Sequence, residues 1–130
     1  MIVETKDYAQ VIFEDVESSY SENQDLECSF TINELLKPDS TDSVGIFKIG
    51  FQVYKDHVCI EPIDVDAIKE GKGKVVFPGD DLPKDDGDFY QFIYLSQSKQ
   101  VRGASIPFQF KKIHISDFVE VEEPEAVIIK

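Results

Sequence analysis

Apolar and polar residues alternate along short stretches of this chain, which is the spacing of β-strands rather than of helices. In residues 26–32, four apolar side chains alternate with three polar ones, as in a strand with one face in a core. Residues 89–95 and 101–110 are rich in tyrosine, phenylalanine and isoleucine, and the polar link SQSKQ separates them. This composition favours two strands that close the fold as a hairpin.

The run at residues 89–95 is apolar on both sides. Its two-residue period places Tyr90, Phe92 and Tyr94 on one face. The opposite face carries Phe89, Gln91, Ile93 and Leu95. We therefore predict a central strand that is covered on both sides. Pro107 cannot donate a ladder hydrogen bond, so residues 101–110 should form an edge strand or contain a bulge, and Gly103 favours a bend.

The other apolar stretches are equally short. Further strands are predicted at residues 10–13, 43–51, 52–60 and 74–77, with at most two helical turns at residues 63–71. Roughly six to eight short antiparallel strands with almost no helix are typical of an immunoglobulin-like β-sandwich. We therefore expect an all-β fold of that kind.

Composition divides the chain into three parts. We expect a flexible N-terminus at residues 1–8, the sandwich domain at residues 9–112, and an acidic tail at residues 113–130. Among the 130 residues, 42% are hydrophobic, with ten phenylalanines and five tyrosines, so the chain can bury a core without disulfides. Cys28 and Cys59 are expected to be two small buried residues in a reducing cytosol.

The net charge of −13 restricts the partners, because 26 acidic residues face only 13 basic ones. Nucleic acids and anionic membranes attract basic surfaces, so neither is expected as a direct partner, whereas a basic protein partner is allowed. No apolar run approaches the ~18 residues that span a bilayer. Glu4 and the lack of an apolar core argue against a signal peptide in the first residues.

The sequence contains no recognisable catalytic constellation. His57 and His114 lie far apart, and none of the common nucleophile, zinc or phosphate-binding motifs is present. Cys59 should share a strand face with His57, yet no third group is placed to orient that pair. We therefore predict a protein without enzymatic activity and without a cofactor or metal.

An aspartate-rich loop precedes the closing hairpin and raises the alternative of a calcium site. An EF-hand with Gly87 at its sixth position would require acidic residues where Leu82, Lys84 and Ile93 stand. We therefore expect an exposed charged loop, and a sandwich-loop calcium site of another type is the alternative.

The tail contains a short motif with an aromatic and an aliphatic residue three positions apart. In an extended chain, Phe118 and Val121 can enter two pockets while the backbone pairs with the edge of a partner's sheet. Asp117 before them and Glu122 and Glu123 after them would meet a basic rim. A tail packed on the domain and an inert linker are the alternatives. A weaker candidate motif follows at Val127, Ile128 and Ile129.

The run RGASIPFQF at residues 102–110, preceded by LPKDDG and FYQF, resembles the SKICH domain of the CALCOCO group of selective-autophagy receptors, the nuclear dot protein and Tax-binding protein type. That family also has an Asp-Trp-x-Gly-Ile-Phe pattern, which Asp42, Gly45, Ile46 and Phe47 match. Ser43 and Phe51 stand where the family places tryptophans, and this chain has no tryptophan.

The resemblance implies an immunoglobulin-like fold and an adaptor that recruits TANK-binding-kinase adaptors or the scaffold of the autophagy-initiation complex. It also implies that the tail motif is an LC-type interacting region, which binds GABARAP-like ubiquitin-fold proteins, and that the protein is cytoplasmic and autophagosome-associated. Surface positions in the matching blocks are candidates for partner binding: Lys84, Asp86, Gln91 and Arg102. Alternatively, Arg102 pairs with a loop aspartate.

Receptors of this group continue into a coiled coil, and no heptads follow residue 110 here. We therefore expect a monomer that is either a fragment of a receptor or a short protein. SKICH domains also occur on inositol polyphosphate phosphatases, where they direct membrane localisation. The alternative function is accordingly a membrane-targeting module, against which the net charge of −13 argues.

Overall fold

A computed structural model describes residues 10–34 and 36–112. These residues form three short 3-10 helices, at Tyr54–Asp56, Val65–Ala67 and Gly79–Asp81. They also form nine strands: β1 (Val11–Glu14), β2 (Ser19–Ser21), β3 (Leu26–Ile32), β4 (Ser43–Lys48), β5 (His57–Pro62), β6 (Lys72–Phe77), β7 (Tyr90–Leu95), β8 (Val101–Ala104) and β9 (Gln109–Lys111). Within the described ranges, no helix is long and apolar enough to cross a membrane.

The strands form two main sheets and one short parallel pair. One sheet has the order β1-β3-β6 and the other β5-β4-β7-β8, both antiparallel, while β2 pairs with β9 in parallel. The sheets also meet along their sides, because β1 lies beside β8 and β5 beside β6. At the first of these seams the Gln10 amide donates to the carbonyl of Arg102 over 3.0 Å. The predicted all-β, immunoglobulin-like sandwich is confirmed.

The strand count differs from the sequence-based expectation for two local reasons. The apolar run at residues 101–110 is divided at Ile106 and Pro107 into β8 and β9, so β8 is an edge strand and Pro107 lies outside the ladder. A further strand, β2, lies in the polar segment between β1 and β3, where no strand is predicted from the sequence. Its pairing partner β9 is remote in sequence, and local composition contains no signal for such a pairing.

The core between the two sheets is built largely from aromatic rings. Phe92 of β7 is fully buried at its centre, and its ring centroid lies 4.5 Å from that of Phe108 and 6.1 Å from that of Phe77. A second apolar cluster covers the other face of the four-stranded sheet, where Ile93 and Leu95 are also buried. All six residues of β7 are buried, which confirms a central strand covered on both sides for residues 90–95. Phe89, which was predicted in the same strand, lies just before β7 and is 52% exposed.

Candidate protein-binding surfaces

The strand pairing brings several chain segments together at one end of the four-stranded sheet. β4 stops there at Lys48, which pairs with Tyr90 at the beginning of β7. β8 is antiparallel to β7 and stops at Ala104, close to that same end, while β5 begins there at His57. The segments that enter and leave these four strands are therefore neighbours.

Exposed apolar side chains collect at this end. Seven large hydrophobic side chains are exposed in the described part of the chain. Four of them lie in the segments that flank these strands, and a fifth, Val58, lies near the beginning of β5. We call these five the apolar rim: Ile49, Val53, Val58, Phe89 and Ile106. Two members with high exposed fractions are Phe89, at 52%, and Ile106, at 55%. Clusters of exposed apolar side chains commonly mark surfaces that bind other proteins.

The second apolar cluster, on the outer face of the four-stranded sheet, includes residues that are close in sequence to the apolar rim; we call it the outer cluster. The rings of Phe47 and Phe51 pack together with centroids 4.4 Å apart, and both side chains are buried. The backbone amide of Ile49 donates to the carbonyl of Phe89 over 3.0 Å, which extends the β4–β7 ladder to the rim. Phe89 and Ile49 are therefore held on hydrogen-bonded backbone rather than on a loose loop.

Acidic residues border the apolar rim just before β7. Asp88 forms an ion pair with Lys48, with 2.9 Å between Oδ2 and Nζ. Asp86 accepts hydrogen bonds from the hydroxyl of Tyr90 over 2.6 Å and from the amide of Asp88 over 2.9 Å. The Tyr90 hydrogen bond is the main reason that the pKa of Asp86 lies below its usual range. Burial, followed by this same bond, raises the pKa of Tyr90.

These carboxylates interact mainly with protein donors. Asp85 accepts from the amide of Lys112 over 3.2 Å, which fixes the end of the described chain to this loop. Within residues 10–34 and 36–112, no three histidine, cysteine, aspartate or glutamate side chains are grouped so that they could hold a metal ion.

The four predicted surface residues have different environments. Lys84 is exposed and donates to Asn23 Oδ1 over 2.6 Å. Asp86 lies beside the apolar rim, as described above. Gln91 is only 7% exposed, so its placement on the surface is wrong. Its amide nitrogen donates to the carbonyl of Ser105 over 3.1 Å, which satisfies a buried acceptor on the neighbouring segment.

Arg102 lies at the far end of the same sheet. It is the additional residue of a bulge, because Leu95 pairs with Val101 whereas Tyr94 pairs with Gly103. The suggested ion pair with a loop aspartate is not seen among the described residues, where Lys48 pairs with Asp88 and Lys74 with Glu27.

Most of the apolar rim is not predicted from the sequence, although the sequence contains a local signal for it. Ile49 is followed by Gly50 and Ile106 by Pro107, so each stands between the end of a strand and a residue that favours a turn. An apolar residue in that position cannot continue the strand into the core, and it is left at the edge of the sheet.

The thiol and imidazole of β5 point to different surroundings. Cys59 packs in the core between the sheets, and burial raises the pKa of its thiol to about 12. The ring of His57 instead contacts Phe47, which belongs to the outer cluster. A bulge separates the two residues, so the expectation that they share a strand face is wrong. Cys28 is also buried, and neither cysteine forms a disulfide.

Two residues of the Asp-Trp-x-Gly-Ile-Phe pattern have clear structural roles. Asp42 is buried and accepts a hydrogen bond from the hydroxyl of Tyr94 over 2.8 Å, which joins the segment before β4 to β7. Burial, followed by this bond, raises the pKa of Tyr94. Phe47 anchors the outer cluster, and Phe51, at a family tryptophan position, packs on it.

The predicted tail motif lies outside the described residues. Asp117, Phe118, Val121, Glu122 and Glu123 all follow residue 112, as does the weaker candidate motif at residues 127–129.

Comparison with known protein families supports the resemblance found in the sequence. The model of the SKICH domain matches residues 11–110, which span the sandwich from β1 into β9. The chain belongs to the SKICH family. The matched residues include both sheets, the apolar rim and the buried Asp42–Tyr94 pair.

Several curated proteins are similar to this SKICH domain. Tax1-binding protein 1 homolog B of Danio rerio is 42% identical over 114 residues, which is 84% of this chain and 14% of the relative. The Xenopus tropicalis Tax1-binding protein 1 homolog is 39% identical over 113 residues, or 84% of this chain and 13% of the relative. Calcium-binding and coiled-coil domain-containing protein 2 of Homo sapiens is 36% identical over 128 residues, covering 91% of this chain and 28% of the relative. The chain therefore covers less than a third of the length of each of these three relatives.

Proposed function

We propose that this SKICH domain is a non-enzymatic adaptor module of a selective-autophagy receptor, cytoplasmic and associated with autophagosomes. It recruits an adaptor of the TANK-binding kinase or the scaffold of the autophagy-initiation complex. The similarity to Tax1-binding protein 1 and to calcium-binding and coiled-coil domain-containing protein 2 supports an adaptor role. The observation that carries the proposal is the apolar rim, since a folded domain gains nothing from leaving such side chains in water.

The partner surface follows from what surrounds the apolar rim. Its centre is apolar, and Asp86 and Asp88 lie at its border on a chain of net charge −13. The matching occupant is a polypeptide segment with apolar anchors flanked by lysine or arginine. Apolar contacts would supply most of the affinity, and the opposite charges would mainly accelerate association and set specificity.

Replacing Phe89 and Ile106 together with serine is expected to weaken binding of a TANK-binding-kinase adaptor about a hundredfold. Burial of each large apolar side chain contributes about 1.5–3 kcal/mol, and serine removes most of that apolar area. The measurement is isothermal titration calorimetry with the purified adaptor segment. Since both side chains are exposed in the unbound domain, the melting temperature should change little.

The matched control replaces Val76 with serine. This residue is similarly exposed, at 47%, but it lies on the three-stranded sheet. Binding by this control variant should equal that of the unmodified domain. Equal losses in the rim variant and in the control, or no loss in either, would exclude the apolar rim as the docking surface.

The tail is proposed to bind GABARAP-like ubiquitin-fold proteins by adding a strand to their sheet. Phe118→Ala is expected to reduce this affinity at least tenfold, because it empties the aromatic pocket that a motif of this spacing fills. Calorimetry with the complete chain provides the measurement. Ile115→Ala, three residues earlier and outside the motif, is the control. Unchanged binding by the Phe118 variant would rule out this motif while leaving the proposal for the apolar rim intact.

A further inference from the structure

A cavity of about 430 Å³ lies at the end of the four-stranded sheet opposite to the apolar rim. β4 begins beside it after Asp42, β7 ends beside it before Ser96, and β8 begins beside it at Val101. The polar and charged residues that line the cavity include Lys37, Asp39, Asp42, Ser96, Ser98 and Arg102. The sandwich therefore has a second surface feature whose chemistry differs from that of the apolar rim.

The two carboxylates of this cavity already have partners within the domain. Asp39 Oδ1 accepts from the amide of Thr41 over 2.8 Å and from its hydroxyl over 2.6 Å. Asp42 Oδ2 accepts from the hydroxyl of Tyr94 over 2.8 Å and from the amide of Asp39 over 3.1 Å. These oxygens hold the cavity wall in place, and their negative charge is partly compensated by those donors.

The cations of the cavity have no such partners among the described residues. Arg102 is the only arginine in the chain, and the bulge in β8 sets its position. Its Nε atom is buried and has no hydrogen-bond partner among those residues. Lys37 is exposed on the wall and likewise belongs to neither ion pair of the described chain. A buried donor on a charged group is costly to leave unsatisfied, and bulges often redirect side chains at binding sites.

We propose that this cavity binds an oxyanion of the phosphate type, free or as a phosphate monoester. Because its Nε atom is buried, the Arg102 guanidinium would present its two terminal nitrogens as a fork to two oxygens, a geometry that suits phosphate. Lys37 adds a second positive charge, and the Ser98 hydroxyl can donate to a third oxygen. Bound phosphate thereby pairs with a guanidinium that forms neither of the ion pairs Lys48–Asp88 and Lys74–Glu27.

Phosphate binding can be measured directly at the Arg102 side chain by NMR spectroscopy. Because the chain has one arginine, ¹H–¹⁵N spectra should contain a single arginine Nε–H signal. Titration of the complete chain with inorganic phosphate, at an ionic strength held constant with NaCl, should move this signal along a saturable curve. O-phosphoserine should move it likewise, whereas acetate should bind about tenfold more weakly, because it has a single charge and two oxygens. An unmoved signal, or equal affinity for acetate, would overturn the proposal.

Three variants separate the site from general charge effects. Arg102→Lys keeps the charge but loses the fork, and should weaken phosphate binding about tenfold, followed by the amide signals of Ser96 and Ser98. Lys37→Gln should weaken it about threefold. Lys55 is also exposed and lies in the connection at the opposite end of the sheet, so Lys55→Gln should leave phosphate binding unchanged. Equal effects of the Lys37 and Lys55 variants, or full affinity in the Arg102 variant with a dispersed spectrum, would contradict a site at Arg102.

Discussion

Phe92→Ala is expected to lower the free energy of unfolding by about 3–5 kcal/mol, which is a large part of the stability of a domain of this size. Phe92 is fully buried between the two sheets. Its ring contacts those of Phe13, Tyr20, Phe77 and Phe108, with centroid distances from 4.5 Å to 6.1 Å. These rings come from β1, β2, β6 and the segment before β9, so no single neighbour can close the space that alanine would leave.

Phe89→Ala is the matched control, because the same side chain is removed three residues earlier, where it is 52% exposed. Phe89→Ala should lower the free energy of unfolding by less than about 1 kcal/mol, since much of the ring is already in water. Urea unfolding followed by circular dichroism gives both values, provided that the slope with denaturant is unchanged. Similar losses in the two variants would contradict the central position of Phe92 in the core.

The strands that were predicted accurately from the sequence are those in which the spacing of apolar residues indicates which faces are buried. β3 runs from Leu26 to Ile32, the limits that its alternation indicates, and its four apolar residues are all buried. β7 was recognised from its two apolar faces, which pack against separate clusters. In both strands the face on which a side chain lies decides which cluster it joins, so the two-residue period of the sequence is enough to predict the strand.

The features that sequence analysis missed depend on residues far apart in the chain. The Asp42–Tyr94 hydrogen bond joins residues separated by 52 positions, and the sequence pattern of neither residue indicates it. The buried side chain of Gln91 likewise donates to the carbonyl of Ser105, which lies 14 positions away in the sequence. Lys37 and Arg102 meet at one cavity only because β8 is paired to β7 with a bulge. Candidate sites at strand ends therefore require the pairing of the strands to be known.

Gly103→Ala is expected to lower the free energy of unfolding by about 3 kcal/mol or more, through a clash between backbones. A Cβ atom on Gly103 would lie 2.1 Å from the carbonyl oxygen of Val11 and 2.9 Å from its carbonyl carbon. Neither atom can rotate away, so β1 and β8 would have to separate. Separation would lengthen the hydrogen bond from the Gln10 amide to Arg102 and expose Val11, which is fully buried.

Gly50→Ala distinguishes this clash from the ordinary effect of removing a glycine. Gly50 has a φ of +92°, where alanine is strained, but its Cβ would meet nothing within 4 Å. Gly50→Ala should lower the free energy of unfolding by about 1 kcal/mol, because of the strained backbone conformation alone. Gly103 does not have a positive φ, so any larger loss there measures contact between the strands. If Gly103→Ala cost no more than Gly50→Ala in urea unfolding, the close approach of β1 to β8 would be refuted, and with it the seam that positions Arg102 beside its cavity.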